Sequence, residues 1–216
     1  SGHSGSLTLD GTVNATTGNG LQFNNADGSY GFNGLVTLNG GDAGIDILNG
    51  SSGTFTFGTA GNLVTLNHST NAGDAFRLDA SNANVTFNGN ITDNDGNAVN
   101  IDDHDGGTIT FNATINSTSQ GILVTDSAGT INFNGAIQLS TGTNNALTMT
   151  NNVGATFNFA PGGAGLDITT TSGRGIFIEG GGTVTLAGAA GAPEVVDRRV
   201  LTIRDSQPYR QAREMD

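Results

Sequence analysis

The sequence predicts an all-β chain wound as a parallel β-helix solenoid, with three short strands per coil. Three observations carry this. The stretch from Ala98 to Leu139 says one phrase twice: Gly107-Thr108-Ile109-Thr110-Phe111-Asn112 returns as Gly129-Thr130-Ile131-Asn132-Phe133-Asn134. Within each copy, apolar and polar residues alternate over three to five positions between Gly-, Asn- and Ser-rich breaks, the period of half-buried strands. The composition is that of a turn-rich β protein: 35 of 216 residues are Gly, roughly twice the usual share of about 7%. A unit this short cannot bury its own apolar side, so it must stack on its neighbours.

The Phe-bearing segment is the first strand of each coil. It runs through Tyr30-Gly31-Phe32, Thr54 to Phe57, Asn84 to Phe87, Thr108 to Phe111, Thr130 to Phe133, Thr156 to Phe159 and Thr183 to Leu186. The last apolar positions are spaced by 25, 30, 24, 22, 26 and 27 residues. The longest interval is expected to carry a loop, through Thr59 to Asn62 or His68 to Asp74. A second segment keeps step: Leu21 to Phe23, Ile45 to Ile47, Phe76 to Leu78, Val99 to Ile101, Ile122 to Val124 and Leu147 to Met149. Its last member is either Leu166 to Ile168 or Ile176 to Ile178. A third runs through Leu35 to Leu38, Leu63 to Leu66, Asn90 to Thr92, Ile115 and Ile137 to Leu139.

Alternation sends Ile, Leu, Val and Phe inward and Thr, Asn, Asp and Gln outward. Phe32, Phe57, Phe87, Phe111, Phe133 and Phe159 are therefore expected to form an internal aromatic stack. Asn33, Asn88, Asn112 and Asn134 each follow that Phe. They are read either as a side-chain turn ladder, broken at Gly58 and Ala160, or as plain turn formers. Tyr30 is placed at a segment edge.

Ser1–Gly5 reads as a short cloning remnant, from which a preceding signal is expected to have been removed. The repeats span 6–187. Residues 188–216 form a linker and a C-terminal cap, or the cut start of a following segment. Gly188 to Pro193 read as the linker, and Arg199 to Arg204 as one last strand capping the open end. Ser206 to Asp216 read as frayed or weakly helical.

Charge narrows the partners. The net charge is -12, there is no Lys, and only two Arg (Arg77 and Arg174) precede the tail. Such a surface repels nucleic-acid backbones and anionic membranes. No apolar run approaches the roughly 18 residues of a membrane helix. There is no Cys, which excludes a disulfide framework and thiolate metal sites, and suits an exported bacterial or a cytosolic protein.

The phrases GTITFNATI and GTINFNGAIQL, preceded by GNAVNI, resemble the β-strand repeats of large secreted bacterial surface proteins, including autotransporter passenger and adhesin domains. The resemblance covers about Leu7 to Leu186. It implies a right-handed coil, in keeping with the general rule for parallel connections. It also implies an extracellular or cell-surface location, and an elongated spacer or adhesive segment that joins neighbouring repeats and meets a host or surface glycan or protein. It does not extend to Glu194 and beyond.

The densest acidic cluster is Asp93, Asp95, Asp102, Asp103 and Asp105. Oxygen ligands at a corner suit Ca²⁺. An EF-hand loop starting at Asp93 needs an acid twelve positions in and finds His104, so these residues are read as solvated corner acids, with Ca²⁺ as the competing reading and no other cofactor. Asp102, Asp103 and His104 also resemble the acidic sites of pectin-cleaving β-helix enzymes. That activity needs two carboxylates at a defined separation, and a polyanionic substrate suits this acidic surface poorly. No catalytic residue is assigned. His68 is expected to be an isolated surface residue, and Ser119 and Ser127 belong to no nucleophile motif. Gly180-Gly181-Gly182 precedes a strand rather than a helix and is no phosphate loop. An ice-binding solenoid is a further alternative. The outward residues Thr56, Thr86, Thr110, Asn132, Asn158 and Thr185 do not read as a regular Thr-x-Thr array.

Overall fold

The computed structural model describes residues 2–40, 44–69, 73–160 and 165–186, and the backbone of 201–204. Among these residues there is no helix; 23 short strands wind into about seven coils of a β-solenoid. The first coils are β1 (Ser6–Leu9), β2 (Val13–Ala15) and β3 (Gly20–Asn24), then β4 (Ser29–Phe32), β5 (Val36–Asn39) and β6 (Gly44–Leu48). Next come β7 (Thr54–Phe57), β8 (Val64–His68) and β9 (Phe76–Asp79), followed by β10 (Asn84–Phe87), β11 (Gly89–Asp93) and β12 (Val99–Asp102). The repeated phrase supplies β13 (Thr108–Phe111), β14 (Ile115–Ser117), β15 (Ile122–Thr125), β16 (Thr130–Phe133) and β17 (Ile137–Gly142). The chain continues through β18 (Leu147–Thr150), β19 (Thr156–Phe159), β20 (Leu166–Thr170), β21 (Ile176–Glu179), β22 (Thr183–Leu186) and β23 (Leu201–Arg204).

Every third strand pairs in parallel, which makes three sheets. The first holds β1, β4, β7, β10, β13, β16, β19 and β22; the second runs from β2 to β20; the third runs from β3 to β21 and then β23. Eight layers at about 4.8 Å each make a rod roughly 34 Å long. Register settles the ambiguous last coil. Leu166 pairs with Ile137 and so belongs to the second sheet, while Ile176 pairs with Leu147 in the third. A register shift between Ser140 and Gly142 lengthens β17.

The interior follows from the alternation. Phe32, Phe57, Phe87, Phe111, Phe133 and Phe159 are all buried. Their centroids are 5.2 Å apart for Phe32–Phe57, 5.3 Å for Phe111–Phe133 and 4.8 Å for Phe133–Phe159, with tilted contacts of 6.0–6.3 Å around Phe87. Phe76 enters from the third sheet and meets Phe111 edge-on at 5.1 Å. Tyr30 belongs to this core rather than to an edge. It is 5% exposed and stacks on Phe55 at 4.7 Å, because it occupies the inward position two residues before Phe32. Its hydroxyl donates to the His3 carbonyl, and His3 forms an isolated parallel bridge with Ala26.

The corner after the third sheet repeats most regularly. Its first residue is Asn25, Asn49, Ala80, Asp103, Asp126, Asn151 or Gly180, and all seven have positive φ, between 48° and 83°. Asn, Asp and Gly tolerate this region best. The long interval between Phe57 and Phe87 does turn at Thr59–Asn62, where the two residues exchange backbone hydrogen bonds of 2.9 and 3.2 Å. Arg199 to Arg204 was expected to add a last strand, and β23 does pair in parallel with β21. The linker at Gly188 to Pro193 and the frayed end at Ser206 to Asp216 lie outside the described residues.

Candidate functional site

The acidic cluster does not converge. Asp93 ends β11 in the second sheet, whereas Asp102 ends β12 in the third, with Asp103 and Asp105 on the corner beyond it. Asp93 is 1% exposed, whereas Asp103 and Asp105 face solvent. Asp102 accepts a 2.6 Å hydrogen bond from the Thr125 hydroxyl, and Asp95 stays on the loop between the second and third sheets. Among the described residues, no three His, Asp or Glu side chains are placed to hold a metal ion.

His68 is the clearest correction. It is neither in a loop nor on the surface, but is the last residue of β8 and 0% exposed. Val64, Leu66 and His68 share inward parity, so the strand simply continues past its last aliphatic residue. In register with it lie Asp93 and then Ser117. His68 Nδ1–H donates to Asp93 Oδ1 at 2.9 Å, and the Ser117 hydroxyl reaches Asp93 Oδ2 at 3.4 Å. The Gly96 amide donates to both carboxylate oxygens, at 3.3 and 3.4 Å. Ser117 Oγ in turn accepts the Gly121 amide at 3.1 Å. The serine meets the carboxylate rather than the imidazole, and all three side chains are sealed from solvent. This order does not activate a nucleophile, which needs the base against the hydroxyl. It satisfies a buried charge.

A second buried column lines the corner after the third sheet: Ser51, Ser81, His104, Ser127 and Asn152, each 2% exposed or less. Ser81 Oγ donates to the Ser51 carbonyl at 2.6 Å, and His104 Nδ1–H to the Ser81 carbonyl at 2.7 Å. The His104 amide donates to Ser127 Oγ, and the Ser127 amide to Asn152 Oδ1. The carbonyl partner places the His104 proton on Nδ1. Burial pushes its pKa below the ordinary 6.5, against the opposing pulls of the hydrogen bond to the Ser81 carbonyl and then of Asp105. A Cβ on Gly129 would collide with the His104 ring. His68 Nε2 and His104 Nε2 are both buried without a hydrogen-bond partner.

On the outside, Asn134 Nδ2 donates to Asn112 Oδ1 and Asn112 Nδ2 to Asn88 Oδ1, both at 2.9 Å. Asn88 Nδ2 then reaches the Gly58 carbonyl at 3.0 Å. Asn33 stands apart and donates to Asp10 at 2.9 Å. One coil along, Asn62 Nδ2 donates to the Asn33 carbonyl where Gly58 interrupts the row.

The outer face of the first sheet holds two parallel rows rather than one. The register aligns Ser6, Ser29, Thr54, Asn84, Thr108, Thr130, Thr156 and Thr183 beside Thr8, Gly31, Thr56, Thr86, Thr110, Asn132, Asn158 and Thr185. None of these side chains is charged. The Thr-x-Thr pattern is therefore denser than the second row alone suggested. It recurs in full at Thr54–Thr56, Thr108–Thr110 and Thr183–Thr185.

The third sheet's outer face is mixed, and a groove of about 270 Å³ opens beside it, lined by Asn97, Gln120, Ile122, Leu123, Asn144, Asn145 and Thr148. Asn97, Gln120 and Asn145 precede β12, β15 and β18 on successive coils, so stacking alone brings them together. No signal local to any one of these corners marks the groove.

No protein family matches the chain, and neither do the curated proteins or the solved structures with which it was compared.

Proposed function

We propose that the chain is a non-catalytic, extracellular spacer and adhesive segment of a bacterial surface or secreted protein. The observation that supports this best is the uniformity of the coils. Every layer between β1 and β22 repeats the same three parallel pairings, and corners stay short except around the longest coil and between β19 and β20. Such a rod sets distance and displays broad side-chain faces along its length. Its partners are neighbouring repeats and a host or surface glycan or protein. The repeat style shared with secreted adhesins supports the location. Immobilised protein tested against cultured host cells and a glycan array checks adhesion. A polysaccharide-depolymerisation assay on the same preparation checks the enzyme alternative, and chain cleavage abolished by Asp103→Asn would replace the spacer reading.

The double Thr row on the first sheet favours a second reading, binding to ice. An uncharged face repeats Thr hydroxyls and methyls about 4.8 Å apart over four successive coils at Thr108, Thr130, Thr156 and Thr183, beside a second row in which Asn132 and Asn158 interrupt the Thr. Ice-recrystallisation assays decide it: inhibition abolished by Thr110→Asp supports the reading, and none from folded wild-type protein discards it.

A further inference from the structure

We propose that the groove formed by Asn97, Gln120, Leu123, Asn144, Asn145 and Thr148 binds a neutral oligosaccharide, an inference that rests on the adhesive reading and gives it a site. Charge is the first argument. The chain carries a net charge of -12, yet no lining residue of this groove is charged. An anionic glycan would meet the repulsion of the acidic surface, and no cationic side chain lines the groove itself; the Arg174 guanidinium near its end is held over the Phe177 ring. No carboxylate lines the groove to hold a cation, and the Asp74 carboxylate beside it already accepts from Asn97 and Asn100.

The second argument is the set of unspent hydrogen-bonding groups. A carboxamide presents a donor and an acceptor side by side, the pairing that adjacent sugar hydroxyls require. The Gln120 side chain makes no hydrogen bond among the described residues, and neither does the Thr148 hydroxyl. Three Asn side chains are each anchored at one end and free at the other. Asn97 Nδ2 donates to Asp74 at 2.8 Å, which leaves Oδ1. Asn144 Nδ2 donates to the Ser119 carbonyl at 3.2 Å, which also leaves Oδ1. Asn145 Oδ1 accepts the Arg174 amide at 3.0 Å, which leaves its NH₂. One-ended anchoring holds these amides in place before a ligand arrives, which lowers the ordering cost of binding.

The third argument is the apolar floor. Leu123 points outward from β15, and Thr148 and Phe177 follow it in register on the next two coils. Leu123 and Phe177 are thus about 9.6 Å apart along the rod, and of the two only Leu123 lines the groove. The Arg174 guanidinium lies over the Phe177 ring, 4.3 Å from its centroid, and covers that ring face, so Leu123 is the apolar surface that the groove itself offers. Apolar patches for C–H faces beside convergent amides are the usual make-up of a small-ligand site.

The test is a glycan array with neutral and uronic- or sialic-acid-bearing oligosaccharides, followed by titration calorimetry with the best neutral hit. Host-cell adhesion is measured in parallel. Gln120→Ala and Asn145→Ala are expected to weaken neutral-glycan binding about tenfold each, the loss of one well-placed hydrogen bond. Thr86→Ala on the first sheet should leave it unchanged, and circular dichroism confirms that the variants fold. If wild-type protein adheres to cells but binds no neutral glycan, or if glycan binding survives Gln120→Ala/Asn145→Ala, the groove is wrong while the adhesive reading stands. Preference for the anionic glycans overturns the neutral-ligand assignment. If the protein binds neither cells nor glycans, both readings fall.

Discussion

The corners on either side of the third sheet bury polar groups in opposite ways. The upstream corner uses charge: His68, Asp93 and Ser117 stack where the second sheet ends. The downstream corner uses backbone geometry: seven residues have positive φ, and five of those corners carry a neutral column of Ser, His and Asn side chains bonded to backbone groups. The downstream corner is also the more uniform, at three to five residues between strands, against four to seven upstream. A neutral column can repeat at every coil, because each member satisfies its neighbour's peptide groups. A buried carboxylate cannot, since like charges 4.8 Å apart would repel. The upstream column accordingly ends after three coils, and Leu139 and Ile168 take over its inward position.

The largest expected effect follows from that contrast. Asp93→Ala leaves the His68 imidazole, the Gly96 amide and the Ser117 hydroxyl facing an empty site, and should cost about 3–5 kcal/mol in urea unfolding. His68→Leu/Asp93→Leu should recover most of the loss, because the next coils already hold Leu139 and Ile168 there. A double variant as unstable as Asp93→Ala would show that the His68–Asp93 hydrogen bond itself, which apolar packing cannot replace, holds this corner.

Phe111→Ala calibrates the corners against the core they enclose. Phe111 is 1% exposed and touches Phe76, Phe87 and Phe133, so truncation should leave a cavity and cost about 3–5 kcal/mol. A cost below about 1 kcal/mol would mean that neighbouring rings collapse into the space.

How much of this was legible differs between the same two corners. The strands and the Phe column could be read because Thr-Ile-Thr-Phe alternates in a self-evident period. His68, Asp93 and Ser117 could not, because a polar residue at an inward position looks like the end of a strand. The signal was parity: Val64-x-Leu66-x-His68 and Ile91-x-Asp93 keep the same two-residue beat. The first Thr row was missed because Thr54, Thr108, Thr130 and Thr156 precede the inward Phe or Ile, and only the residue after it was followed. The left-handed corner is visible at Asn25, Asn49, Asp103, Asp126 and Asn151, but Ala80 hides it. The groove depends on which corners stack, which no single repeat states.

The downstream corner's histidine gives a smaller, pH-dependent effect. Burial lowers the His104 pKa below its ordinary 6.5, so the folded chain resists the proton that the unfolded chain accepts. Stability from this residue is complete above that ordinary value and declines as pH falls below it. Thermal stability should therefore fall as the pH is lowered from about 7 through the ordinary histidine range. His104→Asn keeps an amide donor for the Ser81 carbonyl and should flatten part of that slope. An unchanged slope would place the acid sensitivity elsewhere.

The smallest effect concerns Ala80, the one downstream corner residue that is neither Asn, Asp nor Gly. At φ 48° its Cβ is held in the left-handed region, at a cost of roughly 1–2 kcal/mol. Asn tolerates that region better and stands at the same position in the preceding coil as Asn49. Ala80→Asn is expected to stabilise the protein by about 0.5–1 kcal/mol in urea unfolding, without altering the m-value. Gly at this site relieves the same strain but frees the unfolded chain, so Ala80→Gly should gain less. If neither substitution stabilises, hydrogen bonding around the corner rather than residue type sets its conformation. The neutral column of Ser51, Ser81, His104, Ser127 and Asn152 would then be the feature that makes this corner repeat.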